Sequence, residues 1–148
     1  MSSPAPVAPA PASGISPSVY HLGMPFSIPV TVTLASGQLG LISTFKIDND
    51  SDFDLWRLTA SSILSNGAAG LFAVNIFDNH NNRPFTQNNA FVNGENWFGT
   101  GALPHDYPAP WRLFRQASVT CTFNERSVPG GGVTNTVQLI FEGYKVDL

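Results

Sequence analysis

The alternation of apolar and polar residues is clearest between Leu39 and Ala60. Leu39, Leu41, Ser43, Phe45 and Ile47 hold one phase and Gly40, Ile42, Thr44, Lys46 and Asp48 the other, which is the period-2 pattern of a half-buried strand. A second stretch repeats it, with Trp56, Leu58 and Ala60 in one phase and Leu55, Arg57 and Thr59 in the other. Asn49, Asp50, Ser51 and Asp52 lie between them, and such short polar side chains bond back to a turning backbone. The pattern therefore predicts a β-hairpin over 39–60.

Strands flank it on both sides. Ile28, Val30, Val32 and Leu34 alternate with Pro29, Thr31 and Thr33; regular structure begins near Ile28, and Pro29, lacking a ladder donor, places this strand at a sheet edge. Ser36-Gly37-Gln38 turns the chain toward Leu39, and the small residues from Ser61 to Gly70 read as an irregular loop. LFAVNIFD, Leu71 to Asp78, is an apolar run broken before its end only by Asn75, as in a strand covered on both faces. Ala117, Val119, Cys121 and Phe123 share one face of a further strand. Thr136 to Val146 forms the last, joined to it by a hairpin tip at Pro129-Gly130-Gly131-Gly132. Gly143 suggests a bulge that switches the facing of Tyr144 and Val146.

The stretch from Asn79 to Pro110 is longer than most connections in compact domains. Short strands at Asn89 to Val92 and Trp97 to Gly99 would account for part of it, and Pro104, Pro108 and Pro110 hold the approach to Trp111 extended. Seven or eight short strands without an amphipathic helix predict an all-β fold, an antiparallel β-sandwich of jelly-roll type.

The first residues break this pattern. MSSPAPVAPAPASGISPS carries prolines at 4, 6, 9, 11 and 17, which excludes helix and central strand and favours an extended or polyproline II path. We divide the chain into an extended Pro/Ala-rich N-terminal arm, residues 1–27, and a β-sandwich body, residues 28–148. Lys46 is the first ionised side chain, so a segment carrying Val7, Ile15, Val19, Tyr20, Leu22, Met24 and Phe26 either lies across apolar protein surface without desolvating a charge or acts as a flexible linker.

Charge sharpens the picture. Only 11% of the 148 residues are charged, less than half the usual quarter. Either other subunits cover much of the surface, or Asn, Ser and Thr keep it soluble. Seven scattered Lys and Arg residues and a net charge of −3 argue against a nucleic-acid partner, which needs clustered cations to displace counterions. No apolar run has the length of a membrane span, and the N-terminus lacks the basic region and apolar core of a secretory signal. Folding in a cytosol is the expectation.

Candidate chemistry is sparse. The acidic turn Asp48-Asn49-Asp50-Ser51-Asp52-Phe53-Asp54 invites calcium, but the EF-hand positions that require Gly and Glu hold Phe53 and Thr59; a looser calcium site and a solvated turn remain the two readings. His21, His80 and His105 sit in separate segments without metal-ligand spacing. Cys121, in phase with Val119 and Phe123, reads as a small core side chain. No nucleophile elbow, P-loop or dinucleotide fingerprint occurs, so the expectation is a protein that is not an enzyme and takes no cofactor and no metal. Phe91, Trp97, Phe98, Tyr107 and Trp111 could stack on carbohydrate, plug the core under the long loop, or anchor a subunit contact, where Trp and Tyr concentrate binding energy.

The residues FKIDNDSDFDLWRLTAS at 45–61, NNRPF at 81–85, PAPWRLFRQASVTCTFN at 108–124 and VQLIFEGYKVDL at 137–148 give the chain its resemblance to the small β-sandwich virion proteins of tailed bacteriophages. These include head decoration (cement) proteins and related accessory structural proteins. The resemblance implies a capsid cement subunit that binds between capsomers, partnered by the major capsid protein and by its own copies as a homotrimer. It also implies assembly in the host cytoplasm and residence in the virion. By that analogy Val7, Ile15, Tyr20 and Phe26 of the arm would clamp a neighbour, and Trp97, Phe98 and Trp111 would bind a partner from the body; a small-molecule ligand is not expected. The alternative is a glycan-binding head of a phage fibre or spike that uses the loop from Asn79 to Trp111.

Overall fold

The computed structural model describes residues 23–98 and 105–146. Within them the chain forms two antiparallel sheets. The first sheet has the order β1-β9-β3-β7, built from β1 (Gly23–Leu34), β3 (Asp52–Leu64), β7 (His105–Leu113) and β9 (Asn135–Val146). The second has the order β2-β8-β4-β5, from β2 (Leu41–Lys46), β4 (Phe72–Asp78), β5 (Arg83–Pro84) and β8 (Ser118–Glu125), with β6 (Val92–Asn93) also paired to β4. The expected all-β sandwich is the fold.

Its inner faces meet where the alternation of the strands places apolar side chains. Val119, Cys121 and Phe123 of β8 oppose Val137, Leu139 and Phe141 of β9, all fully buried, with Leu34, Leu55, Leu58 and Ile76 beside them. Each such side chain contributes roughly 1.5–3 kcal/mol of burial. Cys121 belongs to this core, as its phase predicts. Both faces of β4 are covered: Val74 and Ile76 point inward, while Asn75 is buried under the long loop and donates from Nδ2 to the Asn89 carbonyl and its Oδ1 at 2.7 Å each.

Prolines fall where a missing donor is harmless. Pro29 lies in β1 and Pro108 and Pro110 in β7, the two edges of the first sheet.

Four expectations need correction. The hairpin over 39–60 does not form: β2 pairs with β8 in one sheet and β3 with β9 and β7 in the other, so residues 47–51 carry the chain from sheet to sheet. The glycine-rich connection between β8 and β9 makes the same crossing and is not a hairpin tip. Here buried Glu125 holds the crossing together, accepting from the backbone N–H groups of Gly37, Ser127 and Val128 and from Asn135 Nδ2 at 2.8 to 3.0 Å. The first strand begins at Gly23 rather than near Ile28, because β9 is long enough to pair with it as far as Val146. Among the described residues of the long loop the regular pieces are β5, a 3-10 turn at Gln87–Asn89, β6 and the α-helical turn α1 (Gly94–Trp97), before β7 starts at His105; Asn89 and Trp97 are therefore in helical turns and not in strands.

Candidate functional site

The irregular point of β3 builds the most elaborate surface. Leu55 pairs with Gly143 and Arg57 with Glu142, so Trp56 is an extra residue between consecutive partners on β9. Such a bulge re-aims the side chains around it. Before it Phe53 and Leu55 face the core, after it Leu58 does, and Trp56 is left against Tyr144, edge to face with ring centroids 6.5 Å apart. This corrects the expectation that Trp56 shares the phase of Leu58. It also relocates the bulge: Gly143 is not the extra residue but the one that accommodates it. The expected switch of Tyr144 and Val146 does not occur: β9 keeps one phase, with Phe141, Gly143 and Lys145 opposite the core residues Leu58, Leu55 and Phe53, and Tyr144 and Val146 on the other face opposite Asp54 and Asp52.

Around the bulge lies a groove of about 580 Å³, flanked by Pro25, Phe26 and Ser27 of β1 and Asp106 and Tyr107 of β7. Arg57 stands in it between two carboxylates, its Nε 2.6 Å from Asp106 Oδ1 and its Nη1 3.6 Å from Glu142 Oε1. These side chains are accessible, at 42% for Arg57, 59% for Asp106 and 34% for Glu142. The Tyr107 phenol is pushed up to about 12 by burial, against which a hydrogen bond with Trp97 works weakly.

The loop aromatics form an internal stack. Phe85 lies on Trp111 with centroids 4.1 Å apart, Trp97 on Phe98 at 5.0 Å, and Phe98 on Phe72 at 6.1 Å. The Arg83 guanidinium caps Trp111 at 4.1 Å. Of the three arrangements open to these residues, the geometry is that of a plug against the core. Trp97, Phe98 and Trp111 are thus brought together, half-buried. Phe91 stays exposed.

Phe26 is elsewhere, on edge strand β1. Its ring meets Phe53 edge to face at 6.4 Å and lies under the Lys145 ammonium at 4.4 Å. Val7, Ile15 and Tyr20 lie outside the described residues.

The carboxylates of the 48–54 stretch divide between two sets of cations. Asp48 and Asp50 reach Lys145 Nζ at 2.8 and 3.8 Å. Buried Asp52 accepts from the Arg115 backbone N–H at 2.8 Å, and Asp54 takes both Nε and Nη2 of Arg112. Among the described residues no three potential metal ligands converge. His80 packs its ring against Phe114 at 5.4 Å.

No protein-family model, curated protein or solved structure matches the chain.

The residues that sequence reasoning missed are Arg57, Trp56, Glu142 and Tyr144. One signal pointed to them: Gly143 inside a strand, which marks a bulge on one side of the pair or the other.

Proposed function

We propose that this chain is a structural subunit of a tailed-bacteriophage particle, a capsid cement or decoration protein that stabilises the head by binding between capsomers. Its activity is adhesion, its partners are the major capsid protein and further copies of itself in a homotrimer, and its place is the virion.

The observation that carries this reading is edge strand β1. It continues directly from the uncharged, proline-rich leader, it leaves one side without a strand partner among the described residues, and it exposes Met24 at 61% and Phe26 at 37%. A leader of that composition can cover apolar protein surface without desolvating a charge. The low charge of the body and the resemblance at 45–61, 81–85, 108–124 and 137–148 support the same reading. Repetition by capsid symmetry turns modest single contacts into strong avidity.

The test is a deletion of residues 2–18. The shortened protein should keep its sandwich, seen by circular dichroism, and lose binding to empty heads. Undiminished decoration and stabilisation of heads by the shortened protein would overturn the proposal.

A further inference from the structure

We propose that the groove at the Trp56 bulge is a binding site for a short neutral oligosaccharide. The groove shares Pro25, Phe26 and Ser27 of β1 with the edge assigned to particle binding, but its aromatic and charged groups, Trp56, Arg57, Asp106, Glu142 and Tyr144, lie on the neighbouring strands and are tested without altering β1.

The groove has the size of a small-ligand site, about 580 Å³ within the usual range of about 300–1,000 Å³. Its construction is also that of a site and not of an incidental dip. The register shift puts one extra residue in β3, and that residue is a tryptophan turned away from the core against Tyr144. An indole and a phenol at a right angle give a carbohydrate ring an apolar wall for its C–H face and an adjoining edge.

Beside that wall stand the groups that read hydroxyls. Asp106 uses Oδ1 and Glu142 uses Oε1 toward Arg57, and the second oxygen of each takes no hydrogen bond among the described residues. Those oxygens accept from sugar O–H groups, while the guanidinium, fixed by the two carboxylates, donates to ring or hydroxyl oxygens. The ion pairs hold the three side chains in place before a ligand arrives, which lowers the ordering cost of binding.

Charge selects the class of sugar. One Arg and two carboxylates leave the groove at about −1, which repels sialylated, sulfated and phosphorylated glycans. A neutral polyhydroxyl ligand meets both donors and acceptors and no net repulsion.

The experiment presents the full chain to a glycan array holding neutral and acidic oligosaccharides, then titrates it with maltohexaose, cellohexaose and chitohexaose, with sialyllactose as the acidic comparator. At least one neutral oligosaccharide should bind saturably and change the tryptophan fluorescence. Trp56→Ala should weaken that binding about tenfold or more, and Phe114→Ser, away from the groove, should leave it unchanged. Arg57→Gln and Glu142→Gln carry the test should Trp56→Ala fail to fold, and each should also weaken binding. Retention of no neutral sugar, preference for sialyllactose, or full affinity in the folded groove variants overturns the proposal. So does a Trp56 that N-bromosuccinimide oxidises only after residues 1–22 are removed, since the chain's own leader then fills the groove.

Discussion

Gly143 and Asp54 meet backbone to backbone: a Cβ at Gly143 would stand 1.8 Å from the Asp54 carbonyl oxygen. No side-chain rotation relieves such an overlap, because both partners are main chain in adjacent strands of one sheet. The glycine is what lets β9 stay paired while β3 accommodates Trp56.

Gly143→Ala should therefore cost several kcal/mol of stability, from a shift of strand against strand at the centre of the sheet. Gly131→Ala supplies the contrast. A Cβ there meets nothing within 4 Å, but the residue sits at φ 59°, so the loss should be only about 1 kcal/mol. Urea midpoints of the two variants check the order.

Two arginines on the same sheet should behave differently. Arg112 holds Asp54 with two nitrogens and approaches Asp52, which is 1% exposed. Arg112→Met strands Asp54 in a poorly solvated place, while Asp52 keeps Arg115, and should cost about 2–4 kcal/mol, the half-open position of Arg112 tempering the full penalty. Arg57 meets its carboxylates in the open groove. Arg57→Met should leave the urea midpoint nearly unchanged, and equal losses for both variants would contradict this account.

The same contrast shows where the sequence was readable. Alternation identified the stretches that pair, Pro29 identified an edge, and the apolar run of β4 identified a strand covered on both sides. Alternation gives a strand two faces but says nothing of its neighbour. The 47–51 connection looks like a hairpin turn because its residues favour turning, yet the pairing of β2 with β8 and of β3 with β9 is decided by residues seventy or more positions away. The groove was hidden for a related reason. A bulge shifts phase after Leu55, and one displaced residue moves Trp56 from the expected inner face to the outer one.

Acid should reveal the Glu125 crossing. Burial opposes its ionisation, but donors from Gly37, Val128, Asn135 and Ser127 outweigh that and hold the carboxylate at about 2, against 4.5 for the ordinary group. A depressed carboxylate contributes stability that is full above the unfolded value and is lost as the pH falls through the folded one. The window is thus from about 4.5 down to about 2. Glu125→Gln aims an amide N–H₂ at backbone donors and should be less stable than the parent at pH 7. Thermal unfolding followed from pH 6 to pH 2 should show the gap between the two proteins narrowing across that window; a constant gap would count against the assignment.

Cys121 should be chemically silent in the native protein. Burial pushes its thiol up to about 12, and the side chain is fully enclosed between the sheets. The thiolate is the reactive form, so neither its population nor its access permits reaction. Ellman's reagent at pH 8 should give no colour with the folded chain and one equivalent per chain in guanidinium chloride. Rapid reaction of the native protein would place the residue outside the core.

Met24 and Phe26 separate adhesion from folding on strand β1. Phe26 packs on Phe53 and under Lys145, so Phe26→Ser removes a contact of the body and should lower stability by about 1–3 kcal/mol. Any loss of particle binding in that variant is then ambiguous. Met24 is 61% exposed, and Met24→Ser should leave the unfolding midpoint within about 0.5 kcal/mol of the parent. If β1 is an adhesive edge, this substitution removes apolar surface only from the contact, and binding to empty heads should weaken about tenfold once repeated over the particle. Full binding by a stable Met24→Ser protein would remove β1 from the contact and leave adhesion to the leader alone.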